Sequence, residues 1–124
     1  MARREGWNVE ITDEYFAWFR TLAVGQQDAV RADIEILERM GPYLARPYVD
    51  TVKGSKHPNM KELRTICRRR HIRSFFAFDP RRTAIILIGG DKTGDKGFYE
   101  RLIPLADRLY EQYLAEIRKE GLIP

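Results

Sequence analysis

The sequence predicts an α+β domain, a small sheet with helices packed on it, in the order β-α-α-β-β-β-α. Two successive segments near the start carry helical apolar spacing, three consecutive strand-like runs fill residues 60 to 90, and a long helical stripe closes the chain. The 124 residues, 44% hydrophobic and 32% charged with both kinds spread along the chain, fit one domain over residues 1–124.

The first strand is read in "WNVEI", where Trp7, Val9 and Ile11 alternate with polar residues. Thr12 or Asp13 then caps a helix whose face is Tyr15, Phe16, Trp18, Phe19 and Leu22, aromatics expected mostly in the core. "QQDAVRADIEILERMG" sets Val30, Ile34, Leu37 and Met40 on a second helical face, which Gly41-Pro42 ends. The next stretch, with Pro42, Pro47, Gly54 and Pro58, reads as a long irregular connection. "MKELRTIC", "HIRSFFAFD" and "TAIILIGG" follow as strands, joined by "RRR" and by the turn signal "DPRR". The third run is apolar on both faces, which predicts a central strand covered on both sides. Leu102, Leu105, Ala106, Leu109, Tyr113 and Ile117 then mark a closing helix, with Pro104 either kinking it or marking a fresh start.

Composition excludes several classes. The longest apolar stretch, Ala84 to Ile88, is far short of the ~20 residues of a membrane helix. "MARREGW" is basic, but no apolar run follows it, so a cytoplasmic protein without a secretory signal is expected. The single Cys67 has no partner for an internal disulfide or a zinc knuckle, and no paired-carboxylate cluster of the two-metal kind is visible, so neither metal nor cofactor is expected. The net charge of +4 is unevenly placed. Between Lys53 and Arg73, eight basic residues (Lys53, Lys56, Lys61, Arg64, Arg68, Arg69, Arg70 and Arg73) face the one acid Glu62, a stretch that attracts a polyanion.

The glycine-rich "GGDKTGDKG", residues 89–97, is not a nucleotide cradle. Gly89 and Gly94 have the spacing of a phosphate-binding loop, but Asp95 stands where the lysine belongs, and no βαβ unit surrounds it. It is either a plain strand-to-helix turn or a substrate loop in which Lys92 and Lys96 contact phosphate. Arg64 and Arg73 sit on alternating strand positions and can share one face of adjacent strands, where two guanidiniums would hold a phosphodiester and stabilise its extra transition-state charge. The plainer alternative is edge protection and solubility. Arg68, Arg69 and Arg70 look like a solvated phosphate-contact run in a turn. His57 and His71 are candidate general bases, yet neither shows an orienting carboxylate in the sequence. Phe98 and Tyr99 lie beside the lysine loop, where an aromatic ring can stack on a base or pack in the core.

The element order, the basic "KGSKHPNMKELR", the strand "IRSFFAFD" and the closing "AIILIGGDKTG" and "FYERLIPLADRLYEQYL" together resemble the RelE/HigB family of toxins from bacterial type II toxin–antitoxin modules, in the Gp49-like part of the RelE/ParE superfamily. The resemblance covers most of the chain. It implies a RelE-like, microbial-ribonuclease-type fold with a mostly antiparallel sheet, and a metal-independent messenger RNA endoribonuclease acting in the ribosomal A site. It also implies a cognate antitoxin, of helix-turn-helix or RelB-like type, through which alone operator DNA is bound. Carried over residue by residue, the resemblance assigns catalytic roles to Arg64, Arg73, Lys92 and Lys96, and Lys53, Lys56 and Lys61 match less specific basic positions expected to contact RNA; Tyr99 is a further catalytic candidate, and Arg68, Arg69 and Arg70 are RNA-contact candidates from their basic run. The general base stays open among Tyr99, His71 and Asp91. A gyrase-poisoning ParE-like protein and an RNA-binding relative without toxicity are the alternatives.

Overall fold

The computed structural model describes residues 6–124, and the basic start of the chain, residues 1–5, lies outside them. Its elements are β1 (Val9–Ile11), α1 (Asp13–Phe19), α2 (Val24–Met40), β2 (Val49–Thr51), β3 (Lys61–Cys67), β4 (Arg70–Phe78), β5 (Ala84–Asp91) and α3 (Phe98–Lys119). The five strands form one sheet in the order β1-β5-β4-β3-β2, with β1 parallel to β5 and every other pair antiparallel. β5 is the covered strand its apolar run predicts, with β1 and β4 at its sides and helices over both faces.

Local chemistry sets the element ends. Thr12 caps α1 by accepting the Tyr15 N–H at 2.9 Å, and its hydroxyl donates to the Leu87 carbonyl at 2.7 Å, which ties the helix start to the central strand. At the start of α2, the Gln26 side chain accepts the Ala23 N–H at 3.2 Å, and Gly41 ends the helix. Asp79 organises the β4–β5 turn, accepting the N–H groups of Arg81 and Thr83. Pro104 sits inside an unbroken α3 rather than dividing it.

The sheet separates two apolar clusters. On one face Tyr15 of α1 and Leu37 of α2 pack against Leu63, Phe76 and Ile86. On the other, Phe98, Ala106 and Leu109 of α3 pack against Phe75, Ala77, Leu87 and Ile88. A bulge makes this possible: Phe75 pairs with Ile88 but Phe76 with Ile86, so Leu87 is the extra residue and both Leu87 and Ile88 reach the α3 side. Gly89 and Gly90 follow immediately. A Cβ on Gly89 would sit 2.3 Å from the Trp18 ring of α1, and one on Gly90 would sit 2.7 Å from the Phe98 ring of α3. These glycines therefore belong to the strand and admit an aromatic ring on each face.

Three expectations change. The stretch after α2 is not irregular throughout, because Val49–Thr51 adds an edge strand to β3, with Val49 opposite Leu63. Three residues between prolines are too few to show a period-two pattern. Phe16 is 51% exposed and Met40 44% exposed, so neither is core. Each lies at the margin of its apolar stripe, where Tyr15 and Leu37 take the buried positions.

Candidate functional site

In the antiparallel ladder residues directly opposite one another share a face, and Arg64 is opposite Arg73, which is opposite Gly90. The two arginines therefore lie side by side on the α3 face, as their alternation predicts. α3 packs mainly on the β5 side of that face, Val52 and Met60 from the connection between β2 and β3 join the same core, and Ile66 nearer the β3–β4 turn is exposed. Arg64 is half-buried there, and among the described residues its guanidinium has no ion-pair partner.

Arg73 is different. Only 1% of it is exposed, its Nη1 donates to the Ile72 carbonyl at 3.1 Å, and its Nε lies 3.5 Å from Glu62 Oε1 without a hydrogen bond of its own. Two like charges facing each other across a ladder repel, and Glu62 offsets that repulsion. Of the two guanidiniums expected to hold one phosphodiester, Arg64 is half-buried, whereas Arg73 beside it is buried against Glu62. Gly90 leaves room for the Phe98 ring over this rung, which helps seal Arg73 from water.

Glu62, which carries no site motif in the sequence, joins the rung in the structure. It is 7% exposed and accepts the Tyr99 hydroxyl at 2.7 Å. Its only signal in the sequence is that it is the lone acid in a basic stretch. Tyr99 also packs edge-on against Phe75 and Phe98, with Lys92 Nζ 5.8 Å from its ring centroid, so core packing and site geometry meet in one side chain. Burial first, then the hydrogen bond and negative charge of Glu62, raise the Tyr99 phenol above its usual range, with Arg73 opposing. Tyr99 is held as a neutral donor, which disfavours it as a base. Phe98, a candidate for stacking on a nucleobase, is 2% exposed and belongs to the core.

The loop after β5 joins this face through the backbone: Lys92 N–H donates to the His71 carbonyl at 2.9 Å and His71 N–H to Thr93 Oγ1 at 2.7 Å. Lys92 is thereby fixed beside the Arg64–Arg73 rung. Lys96 is exposed farther along the loop, where Gly94 has a φ of 66°. Asp91 accepts from Arg70 Nε at 2.6 Å and from the Thr93 N–H at 3.0 Å. Burial pushes its carboxyl up, but the Thr93 and Arg70 bonds outweigh that and hold it below the usual range.

The other predicted contacts scatter. Lys61 pairs with Phe76, whose ring is in the α1–α2 cluster, so Lys61 points to the opposite face and donates to Thr51 Oγ1 at 2.9 Å. Lys53 and Lys56 are exposed on a loop that Asp107 of α3 anchors through Ser55 and the Lys56 N–H. On the same loop His57 does have a carboxylate partner, Glu111 Oε2 at 2.9 Å, contrary to expectation. That pair is twelve residues along α3 from Tyr99, roughly 18 Å at 1.5 Å per residue, and so is separate from the arginine rung. Arg70 is in the ladder and ion-paired with Asp91, leaving Arg68 and Arg69 alone as the exposed turn. Among the described residues no three His, Cys, Asp or Glu side chains gather as a metal-binding group, and no helix is long and apolar enough to cross a membrane.

Residues 17–111 match the family model for phage-derived Gp49-like proteins. Two curated relatives come from Mycobacterium tuberculosis. "Putative toxin HigB2" is 42% identical over 90% of this chain, and "Putative toxin HigB3" is 48% identical over 79%. The aligned region makes up 56% of the length of HigB2 and 85% of that of HigB3. Among solved structures, a mutant of E. coli toxin RelE in the free state superposes with a TM-score of 0.56 at 8% identity, covering 78% of this chain and 95% of that one. RelE in the RelE–RelB complex of Pyrococcus horikoshii gives 0.52 at 16% identity, covering 70% and 96%. The fold is RelE-like.

Proposed function

From a chain that belongs to the Gp49-like, HigB toxin family with a RelE-like fold, we propose a toxin that cleaves messenger RNA on the ribosome without a metal ion. The observation that carries this reading is the rung that sets the half-buried Arg64 opposite the buried Arg73, with Lys92 and the Glu62–Tyr99 pair at its side. Arg64 is the group placed to contact the scissile phosphate, and Lys92 and Lys96 extend the positive field along the strand that carries it. In the reaction the ribose 2′-hydroxyl loses its proton to water and attacks the adjacent phosphate, the bond to the 5′-oxygen of the next nucleotide breaks, and the products are a 2′,3′-cyclic phosphate and a 5′-hydroxyl that takes up a proton, while the cations stabilise the charge that grows on the phosphate oxygens. Arg73, buried beside Arg64, acts as a positioning residue, setting Glu62 and Tyr99 and adding charge to the field at Arg64.

The partner in this reading is a cognate antitoxin, of helix-turn-helix or RelB-like type, that masks the toxin and carries any operator binding. Solved relatives that pair RelE with RelB support it. Induction in a bacterial host tests the reading. Wild type is expected to arrest growth, Arg64→Ala to relieve the arrest, and coexpression of a cognate antitoxin to do the same. Arrest accompanied by DNA damage and intact transcripts would instead indicate a gyrase poison.

A further inference from the structure

The pairing of β2 with β3 runs one residue past Val49. The Arg64 N–H donates to the Tyr48 carbonyl at 2.7 Å, which continues the register in which Val49 faces Leu63. Tyr48 therefore stands directly opposite Arg64, and residues directly opposite in an antiparallel pair share a face. Val49 and Leu63 turn into the α1–α2 cluster, so Tyr48 and Arg64 turn to the other side, that of Arg73. Tyr48, Arg64, Arg73 and Gly90 thus make one line across the sheet, and at its outer edge the line begins with an aromatic ring.

Tyr48 is 38% exposed. A single exposed aromatic residue is ordinary on a protein surface. The other tyrosines set this one apart. Of the six in the chain, Tyr15, Tyr99, Tyr110 and Tyr113 use their hydroxyls in hydrogen bonds, and Tyr43 packs its ring edge-on against Trp7. Among the described residues Tyr48 has no hydroxyl partner and no aromatic or cationic group on its ring. Its backbone is nevertheless held, by the bond to Arg64 and by its own N–H, which donates to the Ala45 carbonyl at 3.0 Å. The ring is thus anchored at its base and free at its face, one strand spacing of about 4.8 Å from an arginine. A nucleotide needs two surfaces of this kind side by side, a cation for its phosphate oxygens and a flat apolar ring for its base.

We propose that the Tyr48 ring stacks on the nucleobase beside the phosphate that Arg64 contacts, and that it gives the site a preference for a purine there. This rests on the reading of RNA as the ligand and adds to it a residue that reads the base. Cations attract every RNA backbone alike, whereas a stacking ring discriminates by the strength of stacking, which is greater for the larger base. A protein partner is the competing occupant of an exposed tyrosine. RNA is favoured because the ring belongs to the same rung as Arg64.

The probes are three single-stranded oligonucleotides of equal length, one of adenine, one of uracil and one abasic, each with 2′-O-methyl ribose throughout so that the attacking hydroxyl is absent. Each is titrated across a salt series with wild type, Tyr48→Phe and Tyr48→Leu, and thermal melting checks that every protein is folded. Wild type and Tyr48→Phe are expected to bind the adenine oligonucleotide more tightly than the uracil one. Tyr48→Leu keeps apolar bulk at the sheet edge without an aromatic face. Its affinity for the adenine oligonucleotide is expected to fall about 5–150-fold, the range for one lost stacked base. Its salt slope is expected to stay unchanged, because no phosphate contact is lost. All three proteins are expected to bind the abasic oligonucleotide equally. Wild-type affinity of Tyr48→Leu for the adenine oligonucleotide would overturn the proposal and leave the ring to a protein partner. So would an equal loss on the adenine and abasic oligonucleotides, since the ring would then act only by holding Arg64 in place. No binding of any of the three by wild type at any salt would instead remove the RNA reading, and the proposal with it.

Discussion

Arg64 and Arg73 share a rung, yet their replacement has opposite consequences. Arg64 is half-buried with no carboxylate partner among the described residues, so Arg64→Ala is expected to change stability by less than about 1 kcal/mol while lowering transcript cleavage about 10²–10³-fold, the loss typical of one transition-state donor. Arg73→Ala leaves Glu62 buried without its cation and is expected to cost about 3–5 kcal/mol, visible as a large fall in the denaturant midpoint. Equal stability of the two variants would contradict the burial difference. A separate signature lies in the tyrosines. Burial, partly opposed by the Ser74 hydrogen bond, pushes Tyr15 up to about 12, and Tyr99 is also raised. A phenol whose folded pKa exceeds its unfolded value near 10 contributes stability that is intact below pH 10 and lost as the pH rises towards 12. Phenolate absorbance is therefore expected to rise cooperatively with unfolding in that window. Non-cooperative titration of every tyrosine near pH 10 would contradict it.

At the scale of elements, "GGDKTGDKG" carries two separable roles. Gly89 and Gly90 lie near the end of β5 and let Trp18 and Phe98 close over it, whereas Lys92 to Gly97 form the turn into α3. Gly89→Ala drives a methyl group into the Trp18 ring and is expected to cost about 1–3 kcal/mol or more. Gly25→Ala, in the first turn of α2 with open space around it, is expected to stabilise by up to about 1 kcal/mol. Denaturant titration of both variants checks the pair, and a neutral Gly89→Ala would mean that the ring does not sit on the strand. Element types were legible because the apolar runs are long and their periods distinct: β3, β4, β5 and α3 fall within a residue or two of where alternation and helical spacing put them. β2 was not legible, since three residues hold no period and its pairing with β3 is long-range. Alternation already sets Lys61 and Glu62 on opposite faces, but which of the two lies on the α3 side could not be told until the register was known.

For the whole molecule, sheet order is what makes a site. The chain leaves β1 for two helices, returns along β2, β3 and β4, and ends with β5 placed between β4 and β1. That arrangement sets α1 and α2 on one face and lets α3 cover only part of the other, so the β3–β4 rung stays at the margin between core and open surface. The paired arginines were readable in advance from alternation alone. The burial of Arg73 and the use of Glu62 were not, because both depend on Phe98 and Tyr99 of α3 arriving from more than twenty residues away. The most direct test of the central claim maps transcript ends by primer extension after brief induction of wild type and of Arg64→Ala. New ends within translated regions in the wild type alone, lost when ribosomes are blocked from initiating, are the expected result. Unchanged ends in wild-type cells that nonetheless stop growing would contradict it.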